Sequence, residues 1–217
     1  MMIEPYAYVA MEIKGKTREV ALKKIRHLQN EIKRLTKVIE EDPFSEENMC
    51  RPSAGTVLSC YRDYIDAAKY YFKTSGWEYV PSEDEIKDKE FNDRLWHIES
   101  IEFSYYGFMC KGNKWRFMFN GEFVKIIRVA FFESDTEVIN PEYIENWKKS
   151  EIVERLQNLH MSEWKQKYEY PVFVDGIRWT IAIKYIDGTE TIFEGNTKHP
   201  YNFYGFTQAM NIDELAD

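Results

Sequence analysis

The residues of this sequence whose types could support catalysis or ligand binding lie near its C-terminal end, around two turn-forming dipeptides. Asp175-Gly176 and Asp187-Gly188 favour tight turns on either side of a β-rich run. If this hairpin folds back, a set of polar and aromatic side chains would line a small pocket: Asp175, Arg178, Trp179, Asn196, His199, Tyr201 and Asn202. The pocket would suit a small ligand, or a hydrolase with Asp175 and His199 as its acid–base pair. Turn chemistry alone explains the same residues.

The rest of the sequence carries no motif for catalysis or for a cofactor. None of the four histidines has a partner at the spacing of a metal site, and the patterns GxSxG, GxxxxGK[ST] and GxGxxG are absent. Cys50, Cys60 and Cys110 are widely spaced without a CxxC pair, which is typical of free thiols in a reducing compartment. We therefore expect a cytoplasmic protein with no catalytic residue, no metal and no cofactor.

Charge is distributed unevenly along the chain. The formal net charge is −8, yet the window 14–37 holds nine basic and two acidic side chains, which leaves −15 for the remainder. Four of these cations fall on the helical face away from the apolar positions: Lys23, Arg26, Lys33 and Lys37. Acidic residues cluster elsewhere, at Glu133, Asp135, Glu137 and Glu142. Because complementary charge steers encounter and selects partners, these two surfaces are candidate partner-binding sites, and solvated faces are the alternative.

The C-terminal motif resembles one known family. Its residues follow the pattern W-x3-Y, then D-G-x-x-W, then G-x4-P-x-N-F, carried by Trp164 and Tyr168, Asp175 to Trp179, and Gly195 to Phe203. This pattern is similar to the C-terminal module of an uncharacterised α+β domain family of Gram-positive bacteria and their mobile elements. The resemblance extends over about residues 98–210 and implies a phage or mobile-element setting, with no known activity.

Apolar spacing predicts two long helices at the N-terminal end. Thr17 can cap a helix to Glu41, and Ser53 can cap a second that ends before Gly76. Both carry apolar residues at alternating steps of three and four: Ala21, Ile25, Leu28, Ile32, Leu35 and Ile39 in the first, and Leu58, Tyr61, Ile65, Ala68 and Phe72 in the second. We expect an antiparallel helical hairpin over residues 1–80. The alternative is a homodimer in which the same apolar seams pair between two chains.

From residue 95 onward the pattern becomes β-rich. After a joint over 81–94 with a short helix capped by Ser82, strand-like runs are expected near 98–105, 115–119, 123–132, 177–186 and 189–194. Helices are expected from Asn140-Pro141 to Leu159 and from Tyr201 to Met210. The fold class is therefore α+β, with a helical hairpin followed by an antiparallel sheet domain over 95–217.

Taken together, these features favour a non-catalytic binding protein. We expect its charged surfaces to bind a protein or nucleoprotein partner, and direct binding of nucleic acid is the less favoured possibility. The specific hypothesis is a phage or mobile-element inhibitor of a host defence factor. The alternatives are a small-ligand binder or sponge and, further behind, a hydrolase. No apolar run is long enough for a membrane span, so no membrane partner is expected.

Overall fold

The chain divides into two compact units, Met1–Pro81 and Ser82–Asp217. A computed structural model describes residues 2–42, 51–107, 110–130, 138–140, 147–169 and 176–212. The charged side chains of the first unit sum to +1 and those of the second to −9. The acidic balance of the protein therefore belongs to the second unit, while the first is nearly neutral.

The first unit is built on two long helices. A short helix α1 (Pro5–Tyr8) continues into a π-helical turn, Val9–Ile13, and is followed by α2 (Arg18–Glu41) and α3 (Ala54–Thr74). The hydroxyl groups of Thr17 and Ser53 accept the backbone N–H of Val20 and Thr56, so both caps are in place. Arg18 Nε at the start of α2 donates to the backbone oxygen of Glu78, just beyond the end of α3, so the two helices are antiparallel.

The apolar seams of these helices face each other. The buried residues of α2 are Ala21, Ile25, Leu28, Ile32 and Leu35, and those of α3 include Leu58, Ile65, Ala68 and Phe72. The N-terminal segment is fastened to α3 by Tyr64, whose hydroxyl accepts from Ile3 N at 2.9 Å and donates to Ile3 O at 2.8 Å. Tyr8 stacks on Tyr64 with ring centroids 4.5 Å apart. Burial, reinforced by the nearby charge of Glu12, raises the pKa of Tyr8 to about 12.

The second unit is a mostly antiparallel sheet with helices. It begins with α4 (Glu83–Leu95), whose N-terminus carries a complete capping box between Ser82 and Glu85. The remaining elements are β1 (Ile98–Gly107), β2 (Cys110–Met118), β3 (Lys125–Ala130), β4 (Val138–Asn140), α5 (Lys149–Gln157), a 3-10 turn (Met161–Glu163), β5 (Lys167–Glu169), β6 (Arg178–Tyr185), β7 (Glu190–Asn196) and α6 (Phe203–Ala209). Within the described residues the strand order is β4-β3-β2-β1-β6-β7-β5. The α+β class predicted from the sequence is confirmed.

One face of the sheet carries the core of this unit. Alternate residues of β1, β2 and β6, among them Phe103, Phe117 and Ile181, are fully buried and form one cluster with side chains of α4, α5 and α6. The intervening residues carry charge on the other face, where Glu102 accepts from Lys114 and Arg116 at 2.6 Å each. Burial opposes ionisation of Glu102, but these two bonds and their charges lower its pKa below the ordinary value.

Two predictions for this unit differ from the structure. No helix begins at Asn140, and α5 begins at Lys149. At its start Trp147 O accepts from Val124 N and Lys149 N donates to Glu122 O, which holds this backbone against the β2–β3 connection. The predicted cap at Asn140 instead ends β4, and residues 141–146 lie outside the described range. The sheet is also not purely antiparallel, since β5 pairs with β7 in parallel.

Candidate functional site

Three exposed lysines form a basic ridge along α2. Lys23, Lys33 and Lys37, here called the α2 ridge, are all exposed and lie within about 80° of the helix circumference. The α2 ridge extends over about 21 Å of helix axis, since its ends are fourteen positions apart. These are three of the four cations that the sequence analysis singled out on this helix. The structure therefore presents them on one accessible surface.

The acidic neighbours of the ridge do not bury it. Lys37 lies 3.8 Å from Glu41 four residues later, and both side chains are more than half exposed. An exposed pair of this kind contributes little to stability, so a carboxylate from a partner can replace Glu41 at small cost. Lys24, on the flank of the helix, instead pairs with Glu12 at 2.7 Å. The hydrogen bond from Lys24, followed by its charge, lowers the pKa of Glu12.

Arg26, the fourth predicted cation, is occupied within its own unit. Its guanidinium donates to Val80 O at 2.5 Å and to Gln29 Oε1 at 2.7 Å. Arg18 makes the matching contact two turns earlier, with Nε donating to Glu78 O at 2.9 Å. Both arginines thus bind the backbone of residues 77–80, which we call the strap. Arg26 therefore holds the strap and does not belong to the accessible surface of the ridge.

Aromatic contacts anchor the strap to α3. Trp77 and Tyr79 each meet the ring of Phe72 edge-on, at centroid distances of 5.2 and 5.6 Å. The Tyr79 ring also lies between two cations, with the Arg26 guanidinium 5.9 Å and the Lys69 ammonium 5.6 Å from its centroid. Sequence reasoning missed Arg18 and Tyr79, because neither lies in a motif and their contacts with Glu78 and Arg26 join residues more than 50 positions apart. The aromatic run after Gly76 was the one available signal.

The proposed acidic surface and one pocket residue lie outside the described part of the chain. These residues are Glu133, Asp135, Glu137, Glu142 and Asp175.

The remaining pocket residues do not converge on one site. Trp179 is 1% exposed and points into the core, whereas Arg178 lies on the opposite face of the sheet, where Asn196 is its cross-strand partner. Trp179 Nε1 donates to Lys198 O at 2.9 Å, so its polar atom is satisfied by the loop that the sequence offered as a ligand site. Tyr201 is directed elsewhere, with its hydroxyl donating to Glu163 Oε2 at 3.0 Å.

The motif residues act as an internal brace. Trp164 Nε1 donates to Asn202 Oδ1 at 2.8 Å, and Asn202 Nδ2 donates to Leu159 O at 2.5 Å. Gly195 lies beneath Trp179, where an added Cβ would come within 2.5 Å of the indole ring. Asn202 and Gly195 are therefore explained by packing around two tryptophans.

His199 is part of the same aromatic packing. Its ring stacks on Trp179 at a centroid distance of 5.9 Å and lies 4.5 Å from that of Phe203. Burial among these rings lowers the pKa of His199 to about 4, so the side chain is neutral near pH 7. A neutral, stacked imidazole serves the core and adds no charge to the surface.

No protein-family model, curated protein or solved structure matches this chain. Among the described residues, no group of three or more His, Cys, Asp or Glu side chains is arranged to hold a metal ion. Within the same residues, none of the helices has both the length and the apolar sequence that crossing a bilayer requires.

Proposed function

We propose that this protein is a non-catalytic binding protein whose first unit engages an acidic macromolecular partner through the α2 ridge. The observation that carries the proposal is the exposure of Lys23, Lys33 and Lys37 on one face of a long helix. Lys33 and Lys37 are about 6 Å apart along the axis, well within the Debye length of about 8 Å at physiological salt, so they attract the same anion jointly.

The partner is proposed from the sequence resemblance. A mobile-element setting makes a host factor the partner to test first, and a protein or nucleoprotein complex of host defence is the specific hypothesis. An inhibitor of this kind needs no chemistry of its own, because occupying a surface is sufficient. Electrostatic complementarity would chiefly accelerate association and select the partner.

The alternative of a small-ligand pocket near Trp179, Asn196 and His199 has less support. The Trp179 indole is buried and hydrogen-bonded within the unit, and Asn196 lies on the other face of the sheet. Homodimerisation through the helical hairpin is also less favoured, because the apolar seams of α2 and α3 are already buried against each other.

The experiment compares two charge-reversal variants of the full chain. The ridge variant carries Lys23→Glu, Lys33→Glu and Lys37→Glu. The control carries Lys87→Glu, Lys148→Glu and Lys184→Glu, which are exposed lysines of the second unit and change the net charge equally. Binding to two acidic probes, polyglutamate and a short DNA duplex, is measured by fluorescence anisotropy at low salt and at about 0.15 M salt.

We expect the ridge variant to lose at least about tenfold in affinity for an acidic probe, which corresponds to roughly 1.4 kcal/mol, and the control to change little. Equal losses in both variants would mean that net charge, and not the ridge, governs binding. If the unaltered protein binds neither probe even at low salt, the proposal is wrong. Sedimentation at several concentrations tests the homodimer alternative separately.

A further inference from the structure

The side chains of α2 best suited to binding an anion are hydrogen-bonded to the backbone of the same chain. The window 14–37 contains three arginines, Arg18, Arg26 and Arg34, and the first two donate to carbonyl oxygens of the strap. Arginine presents a planar fork of donors that matches a carboxylate in bidentate fashion, which lysine cannot do. The strap therefore occupies the groups on α2 that an acidic partner would bind best.

We propose that the strap, residues 77–80, is an autoinhibitory element that withholds Arg18 and Arg26 from an acidic protein segment docking on the α2 ridge. This inference rests on the proposed function. It adds that the partner is an acidic protein segment and that the strap acts as a gate, which controls access to the two arginines. Docking of the partner's carboxylates displaces the strap, and the two guanidinium groups then bind the partner.

The chemistry of the two acceptors favours this exchange. In the structure each arginine bonds to a neutral backbone carbonyl. A guanidinium can bind a carboxylate through two parallel hydrogen bonds with opposite charges on the two groups, whereas its bond to a carbonyl oxygen is single and has a charge on the donor alone. The strap competes for the two arginines because it belongs to the same chain and is always close to them. A partner with several carboxylates binds the arginines more strongly and can displace it.

The strap is also built to detach at its C-terminal end. Val80 is 47% exposed, Glu78 is exposed, and Tyr79 is the anchor for these residues through Phe72, Arg26 and Lys69. Trp77 is fixed independently, since its N–H donates to Phe72 O at 2.9 Å and its ring packs on Phe72 and Tyr71. Removing the Tyr79 ring should therefore release Glu78 to Val80 and leave α3 intact.

The spacing of the ridge favours an acidic protein segment over nucleic acid. Lys33 and Lys37 are about 6 Å apart along the axis, which equals the spacing of carboxylates four residues apart on a partner helix. Duplex DNA carries one charge per roughly 1.7 Å, a far denser array than three lysines over about 21 Å can match.

The test uses three variants of the full chain and polyglutamate as the probe. Tyr79→Ala removes the anchor, Tyr79→Phe keeps the ring, and Tyr70→Ala removes an exposed tyrosine of α3 as the matched control. If the strap is open about a tenth of the time, Tyr79→Ala should raise the affinity for polyglutamate about tenfold. The other two variants should bind like the unaltered protein. Adding Arg18→Gln and Arg26→Gln to Tyr79→Ala should abolish the gain.

A measurement on the unaltered protein keeps the inference testable if Tyr79→Ala fails to fold. Hydrogen exchange of the strap amides should accelerate when polyglutamate binds, and slower exchange would overturn the gate. Equal affinity of Tyr79→Ala and the unaltered protein would also overturn it while leaving the proposed function in place. A gain seen with the DNA duplex and not with polyglutamate would overturn the partner class. If neither Tyr79→Ala nor the unaltered protein binds polyglutamate or the DNA duplex, both proposals are wrong.

Discussion

The indole nitrogen of Trp164 donates a 2.8 Å hydrogen bond to the side-chain oxygen of Asn202, which lies 38 residues further along the chain. The amide nitrogen of Asn202 continues to Leu159 O at 2.5 Å. One side chain thus joins the 3-10 turn region to the start of α6. The motif that first suggested a ligand pocket is, at this position, a clamp between elements of the second unit.

Asn202→Ala should destabilise the second unit markedly. The substitution removes two hydrogen bonds and leaves the Trp164 N–H and the Leu159 carbonyl without partners, so we expect a loss of about 2–3 kcal/mol in the free energy of unfolding. Urea denaturation followed by tryptophan fluorescence gives the value. Asn158→Ala, at an exposed position just after α5, is the control and should cost less than about 0.5 kcal/mol. Equal effects at the two positions would contradict the clamp.

Gly195→Ala should be far more harmful than an ordinary glycine substitution. Its Cβ would lie 2.5 Å from the Trp179 ring and 2.6 Å from Lys198 O, and the backbone oxygen cannot move aside without breaking its bond to the indole. We expect a loss of at least about 3 kcal/mol or no folded second unit at all. Gly55→Ala, where nothing lies within 4 Å of the added Cβ, should be neutral or stabilise α3 by up to about 1 kcal/mol. Thermal unfolding monitored by circular dichroism distinguishes the two, and a stable Gly195→Ala protein would refute the packing argument.

The burial of His199 should make the second unit less stable in acid. Its folded pKa of about 4 lies below the unfolded value of about 6.5, so the unfolded chain binds more protons between these pH values. This contribution to stability is complete above pH 6.5 and is lost as the pH falls to about 4. Because the side chain keeps some contact with solvent, we expect the loss to be about 2 kcal/mol.

The control for this titration is His199→Phe, which keeps an aromatic ring against Trp179 and Phe203 and cannot be protonated. The difference in unfolding free energy between the two proteins, measured from pH 8 to pH 4, should grow steadily in favour of the variant below pH 6.5. A difference that is constant with pH would show that His199 does not titrate in this range.

Tyr64→Phe should loosen the N-terminal segment without disrupting the hairpin. The hydroxyl is bonded to both the N–H and the C=O of Ile3, while the ring stays packed on Tyr8. We expect a loss of about 1–2 kcal/mol and faster hydrogen exchange at residues 3–8. Tyr70→Phe, whose side chain is exposed, should leave both quantities unchanged. Protection of residues 3–8 that survives in Tyr64→Phe would show that the stacked ring alone holds the segment.

Local patterns were sufficient for most of the elements. The caps at Thr17, Ser53 and Ser82 begin helices where predicted, because a side chain that accepts a backbone N–H needs only its immediate neighbours. The apolar steps of three and four identified the buried face of α2, and Asp187-Gly188 marked the β6–β7 turn, where Gly188 has a φ of +80°. The exposed face that carries the α2 ridge follows from the same periodicity.

Contacts between distant residues decided everything that the local patterns left open. Asn140 satisfies the rule for a helix cap, yet it ends β4, and α5 begins at Lys149, where the chain is bonded to the backbone of Glu122 and Val124. Arg26 lies on the same face of α2 as the ridge lysines and carries the same charge. Only its hydrogen bond to Val80 O, 54 positions later in the chain, removes it from the accessible surface. The sequence by itself therefore determined the two long helices, their buried faces and the placement of charge. Tertiary structure decided which charged and polar side chains are available for binding and which are used to hold the fold, because a hydrogen bond between distant residues forms only when folding brings both partners together.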